Sequence, residues 1–166
     1  FERKEVKDTL SYLRASMNPR SRVDISRIIG TPPRGIGKVT LDKMLEGNDE
    51  ALPAAARAKV AAFRELLTKI GHAVQTLPAS EAIRYTLEAS GIEAMYKGDA
   101  ASRNSGSADD ARERLENIRE LVNLSIRYDD DAPPAGIERL LEEAALQSDQ
   151  DELDLAARSG EKQDAI

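Results

Sequence analysis

One stretch of this 166-residue chain gathers residues that could do chemistry: GTPPRGIGKVTL, residues 30–41, with three glycines, two prolines and a lysine. Three uses fit such a stretch: holding the phosphates of a nucleotide, holding a phosphate of DNA, or turning sharply. A nucleotide P-loop requires G-x-x-x-x-G-K-[ST] with free backbone N–H groups along it. Gly30 and Gly35 have the spacing, but Ile36 stands where the lysine belongs, and Pro32 and Pro33 remove two donors. A dinucleotide fingerprint fails as well, because Gly35-x-Gly37 is followed by Thr40 where a third glycine is needed. No strand pattern precedes either motif.

What remains is helix, Pro-x-Gly-Ile-Gly turn, helix. Two glycines around one aliphatic residue let the chain turn tightly and expose consecutive N–H groups at the start of the next helix. Those donors and the positive helix end suit one phosphate oxygen. Ile36 is expected to point inward and pin the turn. Lys38 is informative, since a cation in a helix's first turn costs a few tenths of a kcal/mol unless an anion lies nearby. Arg34, Lys38 and Thr40 can all donate to phosphate, and such contacts fix position on a duplex without reading sequence. A bare turn with glycines for steric reasons fits the same residues, and the two readings stand side by side.

Elsewhere the chemistry is thin. Cysteine is absent, which removes disulfides, zinc thiolates and thiol nucleophiles and makes a reducing cytoplasm the expected compartment. His72 sits within a helical run and reads as a packed or surface residue. Asp129–Asp131 lies too near Pro133-Pro134 for a calcium loop and reads as a solvated acidic run. Six aromatic residues, scattered along the chain, make no stacking platform for single strands. The formal net charge is −6, unevenly spread: residues 1–44 carry ten Lys/Arg against five Asp/Glu, residues 45–166 fourteen against twenty-five. The turn lies in the basic part, and screening over roughly 8–10 Å leaves a local basic face able to meet phosphate.

The elements that must position this turn read as helices. Val6, Leu10, Leu13 and Met17 recur at helical spacing up to Asn18-Pro19, and Val23, Ile25, Ile28 and Ile29 form a second short face. Val39, Leu41, Met44 and Leu45 follow the turn and end at Gly47-Asn48. Pro53 opens a long Ala-rich helix with Val60, Phe63, Leu66, Leu67, Ile70 and Val74 on one side, closed by Pro78. Ser80 is the expected N-cap of a helix through Ile83 and Leu87 to Gly91. Residues 98–108, GDAASRNSGSA, read as a flexible loop. ADDARERLENIRELVNLSIRY carries Leu115, Ile118, Leu121, Val122 and Ile126 on one face, APPAG breaks the chain, and IERLLEEAALQ is a last firm helix before a polar tail at 148–166. No run alternates with period two, and no apolar run approaches the roughly 20 residues of a membrane span. The expected fold is all-α: one domain over 1–166, an irregular bundle of seven or eight helices with a helix–hairpin–helix-like GIG turn.

FERKEVKDTLSYLR, IIGTPPRGIGKVTLDKM and ARERLENIRELVNLS, in that order, resemble three landmarks of the 2B subdomain of UvrD/Rep/PcrA-type superfamily 1 DNA helicases. The resemblance covers nearly the whole chain, up to the closing GEKQDAI, although 47–58 and 98–108 match nothing in it. The opening on FERKEVKD without an initiator methionine is expected of a piece of a longer protein. The resemblance implies a swivelling insertion in an ATP-dependent 3′–5′ helicase of DNA repair, with ATP and Mg handled elsewhere in the parent and none bound by this chain. It implies duplex-backbone contact through Thr31, Arg34, Gly35, Ile36, Gly37, Lys38 and Thr40, and regulation of unwinding. Its partners would be the duplex, the rest of the motor and proteins of DNA repair, with no membrane. Arg112, Arg114 and Arg119 read instead as a salt-bridged helix face. The competing reading is a docking or regulatory domain whose acidic helices bind a protein; a weaker one is a helix–hairpin–helix domain of an unrelated repair protein. An inserted domain is further expected to bring Phe1 and the C-terminal region to one side.

Overall fold

The structure is a computed structural model that describes the backbone of residues 1–164 and the side chains of 1–104 and 106–160. Eight α-helices and no strand occur among the described residues: α1 Lys4–Met17, α2 Arg22–Ile28, α3 Lys38–Leu45, α4 Ala54–Thr76, α5 Ala79–Ser90, α6 Ile92–Ala100, α7 Ser105–Ser125 and α8 Ala135–Asp164. The expected all-α bundle is what the chain forms. No helix among the described residues is long and apolar enough to cross a membrane.

Helix α1 is the central strut, packed by α2, α4, α5 and α7. Beyond the stripe Val6, Leu10 and Leu13 it buries Thr9, Tyr12 and Ala15, and even the carboxylates of Glu5 and Asp8, 3% and 2% exposed. Neither charge is left unpaired, as a buried carboxylate requires. Glu5 accepts from Asn117 Nδ2 at 2.7 Å and from Arg114 Nη1 at 3.3 Å. Asp8 accepts from Arg27 Nε at 2.8 Å and from Lys4 Nζ at 3.1 Å. Arg114 thereby ties α7 to α1, and Arg112 pairs with Asp109 at 2.6 Å, so both serve structure.

The apolar spacing misleads at four positions. Val23 and Val39 stand 81% and 71% exposed because α2 and α3 each touch the bundle along a narrow edge. Met17 is on the rim of the core at the end of α1, and Ile126, just past the end of α7, is exposed. On α2 that edge is Ile25 and Ile28, and on α3 it is Met44.

Segment 98–108 is mostly helical rather than a loop: α6 runs to Ala100 and α7 starts at Ser105. Of its described residues only Ala108 is buried, near the start of an α7 that packs extensively on α6. The expected cap on α5 is also different. Ser80 lies inside the first turn, and Asp129, from far along the chain, accepts from the Ser80 backbone N–H at 2.8 Å and from its hydroxyl at 2.6 Å. The acidic run at 129–131 is therefore partly structural, with Asp131 accepting from Arg139 at 2.9 Å.

Helix α8 buries Ile137, Leu140 and Ala144, then continues into the polar segment that begins at Ser148, with residues 152–159 exposed. Ala165 and Ile166, the end of that segment, lie outside the described residues. Phe1 and Ser148 line one cleft, so the start of the chain and the start of the polar segment are neighbours.

At Gly136 in the first turn of α8, an added Cβ would stand 2.6 Å from the Tyr128 carbonyl oxygen and 3.2 Å from Ala79 Cβ. Alanine in a helix gains about 1 kcal/mol over glycine, but forcing two backbones apart costs typically 1–3 kcal/mol. The clash is with backbone, which cannot swing aside, so the cost wins. Gly136→Ala is expected to lower the denaturation midpoint; a midpoint at or above the parent's contradicts this packing.

Candidate nucleic-acid interface

Between α2 and α3 the chain makes a turn fastened from three sides. Thr31 donates its N–H to the Ile28 carbonyl at 3.0 Å, and its own carbonyl accepts the Tyr12 hydroxyl at 2.5 Å. The Pro32 ring lies against Gly91, at the joint of α5 and α6. Ile36 is half-buried against the core, pointing inward as expected.

Arg34 departs from its expected role. Its guanidinium turns into the protein, where Nη2 donates to the Tyr12 hydroxyl and to the Ser90 carbonyl, both at 2.7 Å. The same group lies over two aromatic rings, 5.8 Å from the centroid of Tyr12 and 5.6 Å from that of Phe63. Its Nε is buried without a partner among the described residues. One arginine thus joins the turn to α1, α4 and α5. Burial pushes the Tyr12 hydroxyl's pKa above the usual tyrosine value, against the opposing pull of Arg34, so Tyr12 stays neutral and able to donate to Thr31.

The outer surface is made by Gly35, Gly37 and Lys38, all exposed, with Thr40 half-buried beside them. Gly35 has φ +72°, a left-handed conformation that strains any residue with a Cβ, so its glycine is required by the turn itself. Gly37 is different. Its φ of −88° and ψ of 179° are ordinary extended values, and a Cβ there would meet nothing within 4 Å. Neither backbone strain nor packing inside the chain demands a glycine at 37.

Gly37 is the N-cap of α3 and offers no side chain to the helix's first N–H groups, while no acidic residue stands in the first turn. Those donors face open space, and the helix end carries its positive partial charge uncompensated. Two lysines flank it. Lys38 opens α3, and Lys59 reaches over from α4 with Nζ 3.4 Å from the Gly35 carbonyl oxygen. Among the described residues no carboxylate comes within the 4.0 Å ion-pair distance of either lysine. The uncapped helix end, the exposed Lys38 and the Lys59 ammonium therefore belong to one exposed turn.

The profile of the UvrD-like helicase C-terminal domain matches residues 1–159 of the chain. The chain belongs to that family. Among relatives, DNA helicase II of Escherichia coli strain K12 is 27% identical over 93% of the chain and 23% of its own length. The ATP-dependent DNA helicase PcrA of Bacillus subtilis strain 168 is 25% identical over all of the chain and 24% of its own length. PcrA of Staphylococcus aureus strain Mu50 is 29% identical over 93% of the chain. The chain spans less than a quarter of the length of these helicases.

Within this member of the UvrD-like family, Thr31, Arg34, Gly35, Ile36, Gly37, Lys38 and Thr40 lie on one short turn, with the side chains of Arg34 and Ile36 turned into the protein. Sequence reading missed Lys59, because nothing in AAARAKVAAF ties that lysine to a glycine 24 residues earlier. Tyr12 and Ser90 were equally invisible, since their partner Arg34 looked like a surface cation.

Proposed function

We propose that this chain is the 2B-like accessory subdomain of an ATP-dependent UvrD-type DNA helicase, and that it contacts the backbone of duplex DNA through the turn at 31–40. The observation that carries this reading is Gly37: a glycine with no internal reason to be one, at a helix start that is uncapped, free of carboxylates and flanked by Lys38 and Lys59. A phosphate approaching the backbone supplies the missing reason. Gly35, Ile36 and Thr31 shape the turn, while the N–H groups after Gly37, the Thr40 hydroxyl and the two lysines make the contact. Arg34 positions the turn from inside.

The contact is to one or two phosphates, so it is weak, indifferent to sequence and suited to a module that holds and releases duplex as it moves. Regulation of unwinding follows from that grip. ATP and Mg belong to the rest of the proposed parent, since the residues here offer no lysine in P-loop register.

Fluorescence anisotropy of a labelled duplex across a salt series tests the reading. With one or two phosphates neutralised, the log–log salt slope is expected at about −1 to −2, with a Kd no tighter than about 10⁻⁴–10⁻⁶ M at physiological salt. Lys38→Ala and Lys59→Ala are each expected to reduce the slope by about one, equally on every duplex sequence, with melting unchanged. Parent-like binding by both variants at low salt leaves the motif as a turn only and favours the docking-domain reading.

A further inference from the structure

A second surface lies apart from the turn, where α5, α6 and α7 meet. It is an open groove with a cavity volume of about 340 Å³, room for a few side chains of a peptide. Leu115, Ile118, Arg119 and Val122 line it from α7 at spacings of three and four, so one stripe of that helix faces the groove. Leu87 and Ile118 form the buried floor, and Leu115 is only half-buried. The rim is basic, with Arg84 from α5, Arg119 from α7 and Lys97 from α6.

Lys97 is already held by Glu93 at 2.6 Å. Arg84 and Arg119 are exposed, and among the described residues neither has a carboxylate within the 4.0 Å ion-pair distance. Most other arginines of this acidic half do have one: Arg64, Arg112, Arg114, Arg127 and Arg139 are all paired. Two open guanidinium groups over an apolar floor are thus a local exception.

We propose that this groove docks an acidic peptide segment of a partner protein, its aliphatic or aromatic side chains on Leu115 and Ile118 and its carboxylates on Arg84 and Arg119. Guanidinium groups favour carboxylates through paired N–H donors, and apolar anchors inside a charged rim are the usual anatomy of a peptide site. Duplex DNA is the poorer occupant. The groove belongs to the part of the chain with fourteen Lys/Arg against twenty-five Asp/Glu, which repels a long polyanion, whereas a short peptide senses only the rim.

The test is selection from a phage-displayed random dodecapeptide library on the immobilised chain, followed by anisotropy with labelled copies of the peptides recovered. Enriched peptides are expected to combine Asp or Glu with Leu, Ile or Phe. Their affinity is expected to fall about tenfold or more in the Arg84→Glu, Arg119→Glu double variant, and to stay unchanged in Lys38→Ala. The double variant changes only exposed side chains, and its melting is expected to match the parent's. Failure to enrich any peptide overturns the proposal, as does enrichment of neutral or basic peptides. Equal binding of acidic peptides to the charge-reversed variant, or their displacement by duplex oligonucleotide, overturns it too.

Discussion

Gly37→Ser is expected to weaken duplex binding by about tenfold while leaving the fold as stable as the parent, or slightly more so. Serine is a slightly better N-cap than glycine, by a few tenths of a kcal/mol, and the extended backbone at 37 accepts it without strain in space that is empty. Its hydroxyl, however, takes an N–H at the start of α3 that a phosphate would use, and its Cβ holds the phosphate away from the backbone. Losing about 1.4 kcal/mol of such contact is a factor of ten. Gly37→Val is expected to be worse for binding, because it blocks approach and accepts nothing, but it also forfeits about 1 kcal/mol of capping. The serine variant is therefore the cleaner probe, since stability and affinity are expected to move apart. Duplex affinity equal to the parent's, in a variant that melts at or above the parent's temperature, would remove the reason assigned to this glycine.

The same turn shows what a sequence makes legible and what it hides. Helix α4 could be read in full because Val60, Phe63, Leu67, Ile70 and Val74 are large, apolar and regularly spaced, and all are buried. Pattern reading fails where burial depends on something other than size. Segment 98–108 ends α6 and starts α7 with small, mostly exposed residues, and such a composition looks the same at an exposed helix end as in a loop. Val23 and Val39 fit a helical stripe but lie past the edge where α2 and α3 touch the bundle. Charges deceive most. Glu5 and Asp8 lie in the interior because Arg114, Asn117, Arg27 and Lys4 converge on them from other positions in the chain. The location of the candidate site was legible in its glycines, whose spacing is local. Its cations were not, because whether an arginine faces water or a tyrosine is decided by helices brought together only by folding.

Arg34 is where that distinction has the largest expected effect on stability. Arg34→Ala removes two charge-assisted hydrogen bonds of 2.7 Å and leaves the Ser90 carbonyl without this donor. It also removes a cation from two aromatic faces. Hydrogen bonds to charged groups contribute roughly 1.5–3 kcal/mol and the aromatic contacts about 0.5–1 more, so a loss of about 2–4 kcal/mol is expected. For a chain of this length that is a fall in Tm of roughly 5–15 °C. Arg34→Lys is expected to recover little, since a single ammonium cannot bridge Tyr12 and Ser90 while lying flat against Phe63. The two cations of the turn should then show opposite signatures. Lys38→Ala is expected to change the salt slope of duplex binding and not the Tm, and Arg34→Lys the Tm and not the slope. If Arg34 instead reached phosphate, Arg34→Ala would melt like the parent and lose about one unit of slope. Calorimetry and a salt titration on the same preparations decide between these outcomes, because a buried strut and a surface contact cannot produce the same pair of results.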